Sequence, residues 1–212
     1  WEQYDSGGTS YGNPPYDDSG DTNASTRPIF RAFPIVASPS RTFPSLTYIL
    51  NNANDPPDTD GSGLRTAEEL PRIGRSLNFR VTIRDQRGGV NTDDVQLQVA
   101  TNAGPFVVTA PESPVTWTGG ANQTVSWSVA ATDIGPVSCA NVKISLSTDG
   151  GNTFPTVIVA STPNDGSETF IVPVGFNSTT ARIKVEAVGN VFFDISGVNF
   201  TVQPGSCSYS IN

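Results

Sequence analysis

Two acidic loop segments carry residues whose types and spacing could bind a metal ion. Each segment places three carboxylates within five or six residues of a polar, glycine-containing stretch. They are Asp17, Asp18 and Asp21 in the first segment and Asp55, Asp58 and Asp60 in the second. Carboxylate oxygens are the hard ligands that Ca²⁺ requires. We therefore predict calcium at these loops, although neither has the EF-hand register. Solvated loops that use Asp as a turn former are the alternative.

The chain contains no histidine, which excludes several catalytic chemistries. Ser-His-Asp and Cys-His nucleophilic sites and histidine-containing zinc sites cannot be built from this chain alone. A glycosidase with two carboxylates needs no histidine, but no two acidic residues lie in an apolar stretch that would raise one pKa. We therefore expect that this chain is not itself an enzyme, and catalysis elsewhere in a longer parent protein stays open.

Ser147-Thr-Asp-Gly-Gly-Asn-Thr-Phe154 fits the Asp-box pattern S-x-D-x-G-x-T-(W/F) known from sialidases. Its residues are Ser147, Asp149, Gly151, Thr153 and Phe154. In a tight hairpin the Asp149 carboxylate would accept turn amides and the glycines would take positive φ. The motif therefore predicts a structural turn. A glycan-binding role is the alternative, but a propeller sialidase repeats the motif and this chain has it once.

The two cysteines, Cys139 and Cys207, form no C-x-x-C motif. Cys139 precedes a predicted middle strand and Cys207 follows the last one, so the thiols would lie at opposite ends of a sheet, about 20 Å apart. A Cys139–Cys207 disulfide would need the tail to fold back over that distance. Thiols outside this chain are the alternative partners. Two cysteines and a polar surface suit an extracellular or cell-surface protein.

The charge distribution limits the partners. The net charge of −8 and the absence of a basic stripe argue against nucleic acid and anionic membranes, and no apolar run is long enough to insert in a membrane. Five arginines cluster near one predicted hairpin and could grip the carboxylates of a glycan or a neighbouring domain, or pair with local aspartates. They are Arg72, Arg75, Arg80, Arg84 and Arg87.

Aromatic and lysine side chains suggest two further roles. Trp117 with Tyr4, Tyr11 and Tyr16 could form a platform on which sugars stack, although core packing is the commoner use. The only lysines, Lys143 and Lys184, are predicted to point outward. This orientation argues against an internal Lys-Asn isopeptide bond, which needs a buried amine.

Alternating apolar residues predict eight strands in the second half of the chain. The predicted strands are 106–110, 123–129, 142–147, 156–160, 168–172, 181–187, 191–195 and 198–202. Short strands at this spacing, separated by Gly, Pro, Asn and Asp, indicate an antiparallel β-sandwich of immunoglobulin-like size. Trp127 would be its core tryptophan.

The first half predicts fewer strands and longer loops. Residues 77–85 and 90–99 alternate around a Gly-Gly turn and predict a hairpin. Residues 29–33 and 45–50 are further candidate strands, and residues 66–69 fit a capping box that opens one helical turn. One or two initial strands of a sandwich would be missing before Trp1. We therefore expect either an excised piece of a longer protein or an edge completed by another chain.

The predicted fold is all-β, with two consecutive antiparallel sandwiches. Residues 1–104 would form a PKD-like or cadherin-like domain, and residues 105–205 an immunoglobulin-like domain. Residues 206–212 would be a tail or the start of a further domain.

Several segments resemble a known family. The segments P-F-V-V-T-A-P at 105–111, T-W-T-G-G at 116–120 and A-R-I-K-V-E-A at 181–187 resemble the non-catalytic region after the protease domain of secreted bacterial reprolysin-like zinc metallopeptidases. The first half is similar to the module that precedes the immunoglobulin-like one there. The H-E-x-x-H helix of that family cannot exist here, so the resemblance implies a context and carries over no catalytic residue.

These observations favour a non-enzymatic structural or adhesion module of a larger secreted or cell-surface bacterial protein. Its partners would be neighbouring domains, identical subunits or glycans. The alternatives are a subunit of an extracellular filament assembled by strand exchange and a carbohydrate-binding accessory module of a metallopeptidase.

Overall fold

The computed structural model describes residues 1–5, 28–30, 36–52, 70–71 and 73–205. The chain divides into two compact units, Trp1–Thr101 and Asn102–Asn212. The predicted boundary segment, residues 102–105, lies at the start of the second unit. The six calcium-site aspartates, the capping box, Arg72, Tyr11, Tyr16 and Cys207 lie outside the described residues.

The described part of the first unit contains one antiparallel sheet in the order β1-β2-β3. Its elements are β1 (Glu2–Gln3), α1 (Leu46–Leu50), β2 (Ser76–Arg84) and β3 (Val90–Gln98). The predicted hairpin is confirmed: β2 and β3 pair from Ser76 opposite Gln98 to Arg84 opposite Val90.

The half of this hairpin that lies away from its turn packs on a small aromatic core. Leu77 and Phe79 are buried, and the rings of Phe30 and Phe43 lie 6.1 and 4.5 Å from the Phe79 ring. Gln3 closes this core because its Oε1 accepts the backbone N–H groups of Ile29 and Phe30 at 2.8 and 3.0 Å.

The predicted strand at residues 45–50 is wrong, because Leu46–Leu50 is a short α-helix. Ser45 occupies the N-cap position with extended backbone, and a serine directly before an apolar run is a helix-start signal. Neither Ile29 nor Phe30 is in a strand, and residues 31–33 lie outside the described residues.

The second unit is an immunoglobulin-like β-sandwich. Its strands are β4 (Val107–Ala110), β5 (Thr116–Thr118), β6 (Asn122–Ser128), β7 (Asn141–Ser147), β8 (Thr156–Pro163), β9 (Ser167–Ile171), β10 (Ser178–Ala187), β11 (Phe193–Ile195) and β12 (Phe200–Gln203). One sheet has the order β5-β12-β10-β7-β8, with β11 also paired to β10, and the other has the order β4-β6-β9. The first strand segment, β4, pairs in the smaller sheet, and its continuation, β5, pairs in the larger one. This arrangement is of the immunoglobulin type.

All eight predicted strands of this half are present, and Trp127 is in the core as predicted, at 4% exposure. The inward faces of the two sheets supply the other core side chains. They are Val108, Trp117, Val125, Val142, Ile144, Leu146, Val172, Ala181, Ile183, Val185, Phe200 and Val202. Strand β5 was not predicted.

A buried polar network closes one end of this sandwich, which we call the upper end. Asn164 accepts the indole N–H of Trp127 at 2.9 Å, and its amide donates to the Thr132 hydroxyl and the Cys139 carbonyl. The Cys139 N–H donates in turn to the Thr132 carbonyl at 2.8 Å. The β6–β7 loop is thus held to the β8–β9 turn by one amide side chain.

Because every partner in this network is buried, Asn164→Ala should destabilise the second unit. The substitution leaves an indole N–H and a carbonyl without a partner, which costs about 1–3 kcal/mol for each group. Urea unfolding followed by tryptophan fluorescence measures the change. Asn190→Ala, in the exposed β10–β11 loop, is the matched control and should change the unfolding free energy by less than about 0.5 kcal/mol.

Among the described residues, no helix has the length and apolar character that crossing a membrane requires.

Candidate functional site

The first and last strands of the second unit meet in a short parallel pair. Thr116, Trp117 and Thr118 of β5 lie opposite Thr201, Val202 and Gln203 of β12. The Thr201 N–H donates to the Val115 carbonyl at 2.8 Å, and the Gly119 N–H donates to the Gln203 carbonyl at 2.9 Å. The pair therefore joins the segment that enters the sandwich to the segment that leaves it.

Packing beneath the pair fixes its position. The Trp117 ring lies 4.5 Å from the Phe200 ring and 5.8 Å from the Phe170 ring. At the lower end of the pair two glycines approach closely, since a Cβ on Gly205 would lie 2.1 Å from the Gly119 carbonyl oxygen. Both positions must lack a side chain for the two strands to meet.

The chain enters and leaves this sandwich at opposite ends. At the upper end Val107 lies opposite Ser128, the last residue of β6. At the lower end Gly205 lies beside Gly119, shortly before β6 begins at Asn122. The seven residues of β6 put about 20 Å between these two ends.

Two carboxylates tie the entering segment to the opposite sheet. Asp194 of β11 accepts the N–H of Val108 in β4 at 2.7 Å, and Glu112 accepts the N–H of Gly197 at 2.8 Å. Burial raises the pKa of Asp194 above its ordinary value, although the Val108 N–H bond opposes the shift. Sequence reasoning missed this bridge, because Asp194 lies in a run whose other members are apolar.

The Asp-box residues form the turn between β7 and β8. Ser147 Oγ donates to Asp149 Oδ1 at 2.6 Å, and Thr153 donates to the same carboxylate through its N–H at 2.9 Å and its hydroxyl at 2.7 Å. Gly150 and Gly151 have φ of 80° and 91°. All of these hydrogen bonds lie within the turn, so the Asp149 carboxylate already has hydrogen-bond partners there.

The same donors lower the pKa of Asp149 to about 2, the Ser147 hydroxyl most, followed by the Thr153 hydroxyl and N–H. Because the folded-state pKa lies below the unfolded value of about 3.9, the ionised Asp149 carboxylate stabilises the turn at pH values above about 3.9. This contribution is lost as the pH falls from about 4 through about 2.

Thr153→Val removes one hydroxyl donor and should raise the pKa of Asp149 toward its ordinary value. Carboxyl carbon NMR shifts followed through an acid titration measure it. Thr148→Val is the matched control, because only the Thr148 carbonyl bonds to Ser178 and Thr180. An Asp149 pKa that is the same in both variants would contradict the assignment.

The two lysines share one carboxylate on the outer face of the larger sheet. Lys143 and Lys184 both pair with Glu186, the second at 2.7 Å. Burial alone would raise the pKa of Glu186, but the hydrogen bonds from both lysines outweigh it and hold the pKa below its usual range. The Lys184 ammonium also lies 5.1 Å from the Phe154 ring and 5.6 Å from the Phe193 ring.

The predicted sugar platform is not formed around Trp117. Its side chain is 3% exposed and belongs to the core, so no sugar can stack on it. An open groove nearby is lined by polar side chains, among them Thr116, Gln123 and Thr124. Tyr4 is 42% exposed, and its ring is covered by the Arg80 guanidinium at 4.8 Å.

Two arginines of the predicted cluster, Arg75 and Arg80, pair with local aspartates. Arg80 forms a two-point ion pair with Asp94 at 2.7 and 2.8 Å, and Arg75 pairs with Asp5 at 3.2 Å in a buried setting. Hydrogen bonding to Arg80 lowers the pKa of Asp94. These two guanidinium groups are thus engaged within the unit.

Calcium stays a prediction, because all six proposed ligands lie outside the described residues. Within the described ranges no group of three or more His, Cys, Asp or Glu side chains is arranged to hold a metal ion.

Cys139 is buried at the upper end, and its thiol donates to the Asn141 carbonyl at 3.2 Å. Val142 lies opposite Ala187, whereas Val202 lies opposite Ser178, so Cys139 and Gly205 are at opposite ends of β10, about 30 Å apart. The two residue steps from the Gly205 Cα to the Cys207 Cα span at most about 7 Å. The geometry therefore favours partners other than Cys139 for Cys207.

We expect iodoacetamide to leave Cys139 unmodified in the folded protein and to modify it in guanidinium chloride without reductant. Burial protects the thiol in the first case. In the second case unfolding exposes it, and it reacts without reductant because it is not held in a disulfide. Peptide mapping by mass spectrometry reports both. A peptide that links Cys139 to Cys207 would overturn this expectation.

No family model matches the chain, and no curated protein matches it. Among solved structures it is similar to a chimeric titin Z1Z2-Z1Z2 tandem functionalised with a GRGDS exogenous peptide from fibronectin. The identity is 18%, the match covers 66% of this chain and 70% of that one, and the TM-score is 0.27. The immunoglobulin-like class is therefore assigned from the strand order of the second unit.

Proposed function

We propose that the chain is a non-enzymatic, load-bearing structural module of a larger extracellular protein. The observation that supports this function most is the parallel β5–β12 pair in a sandwich that the chain enters and leaves at opposite ends. A module with this geometry adds length between whatever precedes and follows it. Its resistance to extension would be its function.

The direction of the two strands determines how tension acts on them. Both β5 and β12 run toward the lower end. Tension on the entering segment pulls β5 toward the upper end, while tension after Gly205 pulls β12 away from it. The strands must then slide past each other, so all the hydrogen bonds of the pair are loaded together rather than one after another.

The other contacts of the entering segment lie in the same path. β4 pairs antiparallel with β6, from Val107 opposite Ser128 to Ala110 opposite Ser126. The Val108–Asp194 and Gly197–Glu112 bonds connect this segment to the larger sheet. Extension would therefore break both sheet contacts before the core opens.

Calcium in the acidic loops and an extracellular location are parts of the same proposal. They rest on the carboxylate spacing and on the metallopeptidase-like segments. Adhesion through glycans is less well supported, since Trp117 is buried.

Substitutions that weaken the parallel β5–β12 pair should lower the force that unfolds the second unit. Thr201→Pro removes the N–H that donates to Val115, a bond worth about 1 kcal/mol, which corresponds to about fivefold faster unfolding. Gly205→Ala should act similarly, because its methyl group would clash with Gly119. Force spectroscopy of the full chain, held by its two ends, measures the change.

Asn164→Ala is the control, because it weakens the sandwich without touching the β5–β12 pair. It should reduce the equilibrium stability, but its unfolding force should stay closer to that of the unsubstituted chain than the unfolding force of Thr201→Pro does. A larger loss of force for Asn164→Ala than for Thr201→Pro at similar equilibrium stability would contradict the proposed load path.

A further inference from the structure

Strand β8 is a free sheet edge without charge. Among the described strands it pairs with β7 alone, and residues 150–164 contain no charged side chain. Edge strands of soluble proteins usually carry charges, prolines or bulges that discourage pairing with another chain. Strand β8 ends in Pro163 and has two register shifts against β7, but it carries no charge. The nine-residue edge strand β3, by comparison, carries Asp93 and Asp94.

The sequence of this edge is close to a palindrome. Residues 155–163 read P-T-V-I-V-A-S-T-P. If two copies align antiparallel about Val159, Thr156 lies opposite Thr162 and Pro155 lies opposite Pro163. Like residues therefore meet at both ends of the paired segment, and each contact occurs twice about the axis, as in any isologous pairing.

We propose that β8 pairs with β8 of a second copy of this chain, with the two-fold axis at Val159. Charge supports a second copy as the occupant. The chain carries a net charge of −8, so most of its surface opposes self-association. Residues 155–163 of this edge contain no charged side chain. One carboxylate contacts the strand, because Glu168 accepts the Thr162 hydroxyl, but the two copies would place their Glu168 groups at opposite ends of the paired segment.

Exposure of the edge supports the same occupant. Val157 is 50% exposed although the strand around it is apolar, and Ala160 and Ser161 are exposed as well. About the proposed axis, Val157 lies opposite Ser161 of the second copy. Self-pairing of β3 about its centre would instead bring Asp94 against Asp94.

The shape of β8 limits the strength of the contact. Two register shifts in its pairing with β7, between Val142 and Ile144 and between Ile144 and Ser145, bend the strand. Only a few residues can then pair in a straight ladder, and the buried area is below that of standard interfaces. The dimer is therefore weak for free chains and gains strength where several copies are held side by side.

Sedimentation velocity of the full chain between about 1 μM and 1 mM tests the proposal. The unsubstituted chain should show a reversible monomer–dimer equilibrium. The double variant Val157→Lys, Ser161→Lys sets lysine opposite lysine twice across the axis and should stay monomeric. An equimolar mixture of this variant with Val157→Glu, Ser161→Glu should restore the dimer as a heterodimer.

The matched control is the double variant Ile171→Lys, Val191→Lys. These side chains are 65% and 66% exposed and lie outside β8, so the change adds the same charge and should leave dimerisation intact. Far-ultraviolet circular dichroism establishes that all variants are folded. A chain that is monomeric at every concentration, a β8 lysine variant that still dimerises, a control that abolishes dimerisation, or a mixture that stays monomeric would each overturn the proposal.

Discussion

The parallel pair between β5 and β12 is the constraint on which the architecture of the second unit depends. A three-residue strand is held there because Trp117 packs between Phe200 and Phe170 beneath it, and because Gly119 and Gly205 let the two backbones approach. This pairing requires the chain to leave one sheet after β4 and cross to the other. The Asp194 and Glu112 carboxylates bridge the sheets near that crossing, so polar contacts add to the apolar packing of Val108 there.

Contacts within the fold explain why several chemically suggestive residues serve the structure. Trp117 is in the core, the Asp149 carboxylate is filled by donors from its own turn, and the two lysines share Glu186. The Asp149 carboxylate and the two lysines find their partners within a few residues along the chain or across one strand pair, whereas Trp117 packs against Phe200 and, across the sandwich, Phe170. In the described part of the second unit, the exposed edge of β8 is a surface left for another molecule.

The sequence predicted the parts of the fold that alternation determines. Val125, Trp127 and Val129, or Ile183 and Val185, alternate with polar residues, and that period of two places a strand without knowledge of its neighbours. Strand β5 escaped because three residues are too few to show a period and its partner lies 85 residues away. The helix at Leu46–Leu50 was mistaken for a strand because a short apolar run satisfies both patterns. The bridging role of Asp194 depends on the contact between two sheets, which local sequence does not encode. The calcium ligands were proposed from spacing alone, and they lie in segments that the structure does not describe.

The central claim is that tension along the chain loads the β5–β12 pair in shear. The most direct measurement compares the unfolding force of the second unit in two pulling directions. One pair of attachment points lies before Val107 and after Gly205, so that the strands slide. The other lies at Ala121 and after Gly205, where both strands end, so that the pair opens one bond at a time. The account predicts a clearly higher force in the first direction. Equal forces, or a higher force in the second direction, would contradict it.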